Sequence, residues 1–176
     1  PAGGTAIFVR ASLLLAGSLL VNGPATVSAG GRCVSIDVAW GGHAFSVLST
    51  YLPSAAPAQQ RAFIQEVLAP IAAQPGSQLW GGDFNFAMDV SLDRISVGQA
   101  FAAGLHPDIR TAEVFNSACV GMVDVFRRLH PERRAFTFVH RQHVVARDVH
   151  IVALFRQLIG RRHDTVEDFH RDRDEI

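Results

Sequence analysis

Lysine is absent from the 176 residues, and all sixteen basic side chains are arginine. There are only two cysteines, Cys33 and Cys119, so the chain can hold one disulfide at most and is no disulfide-stapled scaffold. A reducing compartment is therefore expected. Long apolar runs are also missing. The longest, Ala11–Val21, falls short of the roughly 20 residues that span a bilayer, so no membrane partner is expected. Sixteen acids balance the sixteen arginines, and no global field draws the chain toward a polyanion. No segment repeats at the period of a solenoid or propeller. What is present is apolar: 48% hydrophobic against 18% charged, which excludes disorder and suits one domain with a sizeable core. The charge is unevenly spread. Residues 121–176 hold eleven of the arginines and six of the eight histidines, so any contact with a polyanion belongs there.

Hydrophobic patterning orders the elements. Thr5–Arg10 reads as a short buried strand. Arg32–Trp40 alternates, with Val34, Ile36, Val38 and Trp40 on one face, and His43–Tyr51 alternates again. Gly41-Gly42 between them tolerates the positive φ of a two-residue turn, predicting an antiparallel hairpin. Pro57 suits the first turn of a helix, and Phe63, Ile64, Val67, Leu68 and Ile71 recur at helical spacing. Ser77–Trp80 predicts a strand, Ile109–Cys119 a helix and Val123–Leu129 a helical turn or two. Ala135–His140 and Val144–Leu154 predict two more strands. Hairpins first, then strands mixed with helices, predict an α/β (α+β) class. Residues 1–159 are expected to form one domain, with 160–176 a charged tail.

The sharpest chemical feature is Gly81-Gly82-Asp83-Phe84-Asn85 at the end of an apolar strand. Two glycines there would let a substrate backbone approach the main chain. Asp83 can act as a general base or a metal ligand, and Asn85 can hydrogen-bond a carboxylate or phosphate oxygen. The same residues also fit an Asx turn that merely caps a strand. By itself Tyr51, at a strand end, reads as a half-buried aromatic with a wet hydroxyl. Asp124 and Arg127, three apart, suggest a surface ion pair with a structural role. Phe136 and Phe138 read as core, with Thr137 on the opposite face. The spacing of His140, His143 and His150 fits no zinc site.

In order, Tyr51-Leu52-Pro53, Arg61 and Phe63, Gly82-Asp83-Phe84-Asn85, Asp93-Arg94, Asp124-x-x-Arg127-x-x-His130-Pro131, Phe136-Thr137-Phe138 and Ala146-Arg147-Asp148 resemble the endonuclease/exonuclease/phosphatase superfamily. The chain is most similar to the apurinic-type endonuclease domain of LINE-type (non-LTR) retrotransposons, from Gly3 to about Val152. The resemblance implies a two-sheet sandwich flanked by helices, as in deoxyribonuclease I-like phosphodiesterases. It implies a metal-dependent enzyme that nicks DNA, with Mg²⁺ or Mn²⁺ as cofactor and a reverse transcriptase as a possible fusion partner. Location would be intracellular, nuclear or cytoplasmic.

By the same resemblance, Tyr51 would hydrogen-bond the scissile phosphate, Asp83 would activate water and Asn85 would orient it. Asp148 would orient a catalytic histidine. Arg127, Thr137 and Arg147 would support the site or touch the DNA backbone.

The pattern departs from the family at both ends. The family's cation-binding Glu would lie upstream of Gly3, and the chain opens at Pro1 rather than Met. The terminal Ser-Asp-His has no counterpart beyond a reversed His163-Asp164. A fragment incomplete at both ends is therefore expected, with little activity of its own. A phosphatase or sphingomyelinase-like member of the superfamily and a non-catalytic nucleic-acid-binding remnant are the two rival readings.

Overall fold

The computed structural model of the chain describes residues 4–54, 56–96, 109–133, 138–140, 145–147 and 154–156. The expected tail from 160, together with Thr137, Asp148, His143 and His150, lies outside them. The described strands form a six-stranded sheet in the order Leu19–Ser28, Cys33–Trp40, His43–Tyr51, Ser77–Asp83, Leu154–Arg156, Val123–Asp124, and a three-stranded sheet in the order Arg94–Ser96, Val145–Arg147, Phe138–His140.

The predicted hairpin is present as β2 (Cys33–Trp40) and β3 (His43–Tyr51), paired antiparallel from Cys33 opposite Thr50 to Trp40 opposite His43. Gly41 and Gly42 turn it at φ values of 57° and 80°, a conformation that carries a two-residue turn matched to strand twist. In front of β2 runs β1 (Leu19–Ser28), an edge strand the patterning does not announce. Gly23-Pro24 interrupts its sequence. The ladder absorbs the break by a register shift between Asn22 and Thr26, which an edge strand tolerates because its outer N–H groups have no partner to lose.

The expected strand at Thr5–Arg10 does not form. That segment carries no ladder, Phe8 stands 94% exposed, and only Thr5 is anchored, by its N–H to the Gly31 carbonyl and its hydroxyl to Ser49. The short helix α1 (Ala11–Leu15) follows it, within the apolar run.

The helix predicted from Pro57 forms in three pieces: α2 (Pro57–Phe63), a π turn (Ile64–Leu68) and α3 (Ala69–Ala72). Pro70 has no N–H and its ring crowds the carbonyl four residues back, so the wider turn before it relieves that clash. Gln78 then ties the helix end to the next strand. Its Nε2 donates to the carbonyls of Ile71 and Gln74 at 3.0 and 3.1 Å, while its Oε1 accepts from Trp80 Nε1 at 3.0 Å. The crossover delivers β4 (Ser77–Asp83) parallel to β3.

Alternation along β3 and β4 sorts the faces. Leu48, Thr50, Gln78 and Trp80 point toward the helices. There they join Cys33, Leu52, Phe63, Ile64, Leu68, Phe84 and Phe115 in a buried cluster closed by α5 (Ile109–Ala118). Phe84 and Phe115 meet edge to face at 5.8 Å, and Phe86 packs on both. Tyr51 and Asp83 share the opposite face.

Beyond β4 come α4 (Val90–Asp93), β5 (Arg94–Ser96), β6 (Val123–Asp124) and α6 (Val125–Leu129). The short strands β7 (Phe138–His140), β8 (Val145–Arg147) and β9 (Leu154–Arg156) complete the two sheets. Among the described residues no helix is long and apolar enough to cross a membrane.

Candidate functional site

Tyr51 and Asp83 are the last residues of adjacent parallel strands and are register partners. Their Cα atoms are therefore one strand spacing apart, about 4.8 Å. Past them the two strand ends stay locked, since the Leu52 N–H donates to the Asp83 carbonyl at 2.9 Å. The chain then leaves the sheet abruptly. Phe84 turns into the core at 1% exposure, and Asn85 adopts φ 53°, a left-handed conformation that Asn accepts more readily than most residues.

That turn is held from three sides. The Asn85 N–H donates to Asp83 Oδ1 at 3.0 Å, its side-chain Nδ2 donates to the Leu52 carbonyl at 2.8 Å, and Gln60 Nε2 donates to the Asn85 carbonyl at 2.8 Å. The Asx turn is thus real. It also holds a carboxylate and an amide beside a phenol, all three half-buried at one rim.

Gly82 has a role inside the sheet. A Cβ on Gly82 would meet the Thr50 carbonyl oxygen at 1.9 Å, at a φ of 137°. At Gly82 the missing side chain makes room for the backbone of the neighbouring strand.

Arg127 and Asp124 also differ from the expected surface pair. Asp124 caps α6 by accepting the Arg127 backbone N–H at 3.0 Å. The Arg127 guanidinium reaches instead to Asp93, which is fully buried, and donates from Nη1 to the Arg133 carbonyl at 2.6 Å. Asp93 in turn accepts the Asp89 N–H at 2.9 Å. Arg127 therefore holds the segment after Asn85 against α6, and its side chain is only 14% exposed. Arg147 falls within β8, and Thr137 and Asp148 lie outside the described residues.

The sequence reading overlooked two residues here. Gln60 offers no motif to find. Arg32 does have a signal: the hairpin register, carried one step past Cys33–Thr50, sets it against Tyr51. The Tyr51 N–H donates to the Arg32 carbonyl at 2.9 Å, Arg32 Nη1 donates to the Tyr51 carbonyl at 3.3 Å, and the guanidinium lies 5.2 Å from the ring centroid.

Among the described residues no three His, Cys, Asp or Glu side chains converge. A divalent cation of the Mg²⁺ type wants several oxygen ligands, usually with one or two carboxylates. One carboxylate, one amide and one phenol do not make a complete site for it. Both cysteines are buried in the core cluster and free. Burial pushes the Cys119 thiol up to about 12 and raises Cys33 as well, which suits packing rather than reactivity.

No protein-family profile matches the chain, and no curated protein sequence aligns with it. Solved structures do. A humanized D. rerio TDP2 carrying 14 mutations superposes with a TM-score of 0.54 at 14% identity, over 84% of this chain and 56% of that one. D. rerio TDP2 in complex with a single-strand DNA product superposes at 0.52 and 12% identity, over 84% and 57%. The chain spans a little over half the length of these structures. At such identities the likeness shows the fold alone, a deoxyribonuclease I-like α/β fold.

Proposed function

We propose that the chain is part of a phosphodiesterase domain acting on DNA, of the retrotransposon endonuclease type. The observation that carries the reading is the register of Tyr51 with Asp83 across β3 and β4, with Asn85 turned back beside them. The fold shared with a protein solved on a single-strand DNA product adds to it. In this reading Asp83 takes the proton of a water that attacks phosphorus in line. The new P–O bond forms as the bond to the leaving oxygen breaks. The Tyr51 hydroxyl donates to a non-bridging oxygen. Asn85 spends one amide N–H on Leu52 and offers the other to the developing charge, an oxyanion-type stabilisation. Asp148, Arg147 and Thr137 keep the roles the resemblance implies, and Arg127 acts by holding the loop after Asn85.

Mg²⁺ or Mn²⁺ is the cofactor expected of a domain carrying the remaining ligands, and no step above runs through it. The 176 residues alone are therefore expected to be slow, since losing one such donor already costs about 10²–10³ in rate. The test offers supercoiled plasmid, sphingomyelin and a phosphoinositide to the protein with Mg²⁺ or Mn²⁺. Slow plasmid nicking, lowered a further ~10²-fold or more by Asp83→Asn, supports the reading. Turnover of a lipid in place of DNA assigns the chain to the phosphatase or sphingomyelinase branch. Binding of DNA without any turnover, unaffected by Asp83→Asn, supports the non-catalytic remnant.

A further inference from the structure

We infer that Arg32 is a phosphate-binding residue of this rim, contacting the substrate strand on the β2 side of Tyr51. The inference rests on the phosphodiesterase reading and extends it to a residue no motif assigns.

Three adjacent strands end together. Arg32 stands one step past the Cys33–Thr50 pair, opposite Tyr51, and Tyr51 is register partner to Asp83. Register puts Tyr51 and Asp83 on one face, and the guanidinium over the Tyr51 ring brings Arg32 to the same side. The row therefore reads cation, phenol, carboxylate across about 10 Å, two strand spacings. A chain of phosphodiesters laid across the strand ends would meet them in that order.

The backbone prepares Arg32 for this place. Ala29, Gly30 and Gly31 all have positive φ, at 50°, 63° and 86°. Ala29 is a non-glycine residue in left-handed territory, a strain that proteins keep mostly where a segment has a function. The turn closes through the Arg32 N–H on the Ala29 carbonyl, and the Gly31 carbonyl accepts from Thr5. This tight loop delivers Arg32 to the strand end at the level of Tyr51.

The guanidinium is fixed without being consumed. Arg32 is half-buried, and its one side-chain hydrogen bond within the described residues uses a single N–H of five. The ring below it and the carbonyl beside it orient the fork. The planar edge left over is the group that grips phosphate by paired hydrogen bonds. No acid is paired with it among the described residues, so its charge is available to a phosphate. A surface arginine placed only for solubility would need neither the strained turn nor the stacking.

The test measures binding of a short fluorescein-labelled single-stranded oligonucleotide by anisotropy, in EDTA, across a salt series. Each phosphate neutralised on a single strand contributes about 0.7 to the slope of log affinity against log salt. Arg32→Gln is expected to lower the slope by about that amount and to weaken low-salt binding roughly tenfold. Arg32→Lys should keep the slope and still lose affinity, because an ammonium cannot form the fork.

The unmodified protein gives a second measurement that does not depend on a variant folding. Saturating oligonucleotide should protect Arg32 from phenylglyoxal, scored by peptide mass, while the exposed Arg10 keeps reacting. An unchanged slope and affinity in a folded Arg32→Gln protein, or equal Arg32 modification with and without oligonucleotide, overturns the inference and leaves the phosphodiesterase reading standing. Failure of the parent protein to bind at any salt overturns both.

Discussion

Replacing Gly82 with alanine inserts a methyl group where the sheet has no room. The added Cβ would lie 1.9 Å from the Thr50 carbonyl oxygen and 2.8 Å from its carbon and nitrogen, against 3.4–4 Å for ordinary contact. All three atoms are backbone of the last pair but one of the β3–β4 ladder, so no side chain can swing aside. The backbone at 82 is also at φ 137°, where an L-residue is strained by about 1–3 kcal/mol. Overpacking a well-filled site adds about 1–3 kcal/mol. The two together come to about 2–6 kcal/mol, a large share of the 5–15 kcal/mol typical of a domain. At about 3 °C per kcal/mol for a chain of this length, that lowers Tm by roughly 6–18 °C. Gly41→Ala is the control. It has positive φ, at 57°, but open space around it, so only the left-handed cost of about 1–2 kcal/mol applies. Thermal unfolding followed by circular dichroism compares the two, and amide exchange at Leu52 reports on the strand end. If Gly82→Ala melts no lower than Gly41→Ala, the contact between β3 and β4 at this glycine is wrong, and with it the register that joins Tyr51 to Asp83.

Other predictions follow from the packing and the buried charges. Asp93→Ala strips the buried partner from Arg127 and should cost about 3–5 kcal/mol in urea unfolding, whereas replacing both residues by apolar ones of similar volume should cost much less. Phe115→Ala opens the aromatic cluster under Asn85 and should cost about 3–5 kcal/mol, read the same way. Burial raises the Cys119 thiol from 9.0 to about 12, so the folded state holds that proton more tightly than the unfolded chain. The associated stability is complete below about pH 9 and is lost as pH climbs toward 12, and Cys119→Ala should flatten that decline, measured as Tm against pH. For the same reason Cys119 should resist a disulfide reagent near neutral pH until the protein is unfolded, when it should react at the ordinary rate.

The hairpin was legible because period-two alternation and a Gly-Gly turn agree, and the helix from Pro57 because its apolar residues recur at helical spacing. The strand β1 was hidden by Gly23-Pro24, which reads as a breaker unless the strand is known to be an edge with a bulge. Thr5–Arg10 failed in the opposite way: its pattern suits a strand, but a strand needs a ladder neighbour, and that is a tertiary fact. The motif Gly82-Asp83-Phe84-Asn85 was legible as the end of a strand, but not that Gly82 makes room for the Thr50 backbone, since no local pattern names the neighbouring strand. That Tyr51, thirty-two residues earlier, lies beside Asp83 came from a resemblance. No local pattern reports a parallel register, because it is set by the crossover helix and by Leu52 and Trp80 packing beneath it. Arg127 shows the limit of spacing arguments. An acid three residues before it was the obvious partner, yet Asp124 serves the helix backbone and Asp93, thirty-four residues away, takes the charge.

Amide chemical-shift mapping with a dinucleotide, the smallest ligand holding one phosphodiester, asks whether that phosphodiester seats at the strand ends. Saturable shifts should cluster on Arg32, Tyr51, Leu52, Asp83 and Asn85, and should weaken when Tyr51 is replaced by Phe. Shifts that saturate elsewhere on the sheet while these five residues stay still would contradict the account.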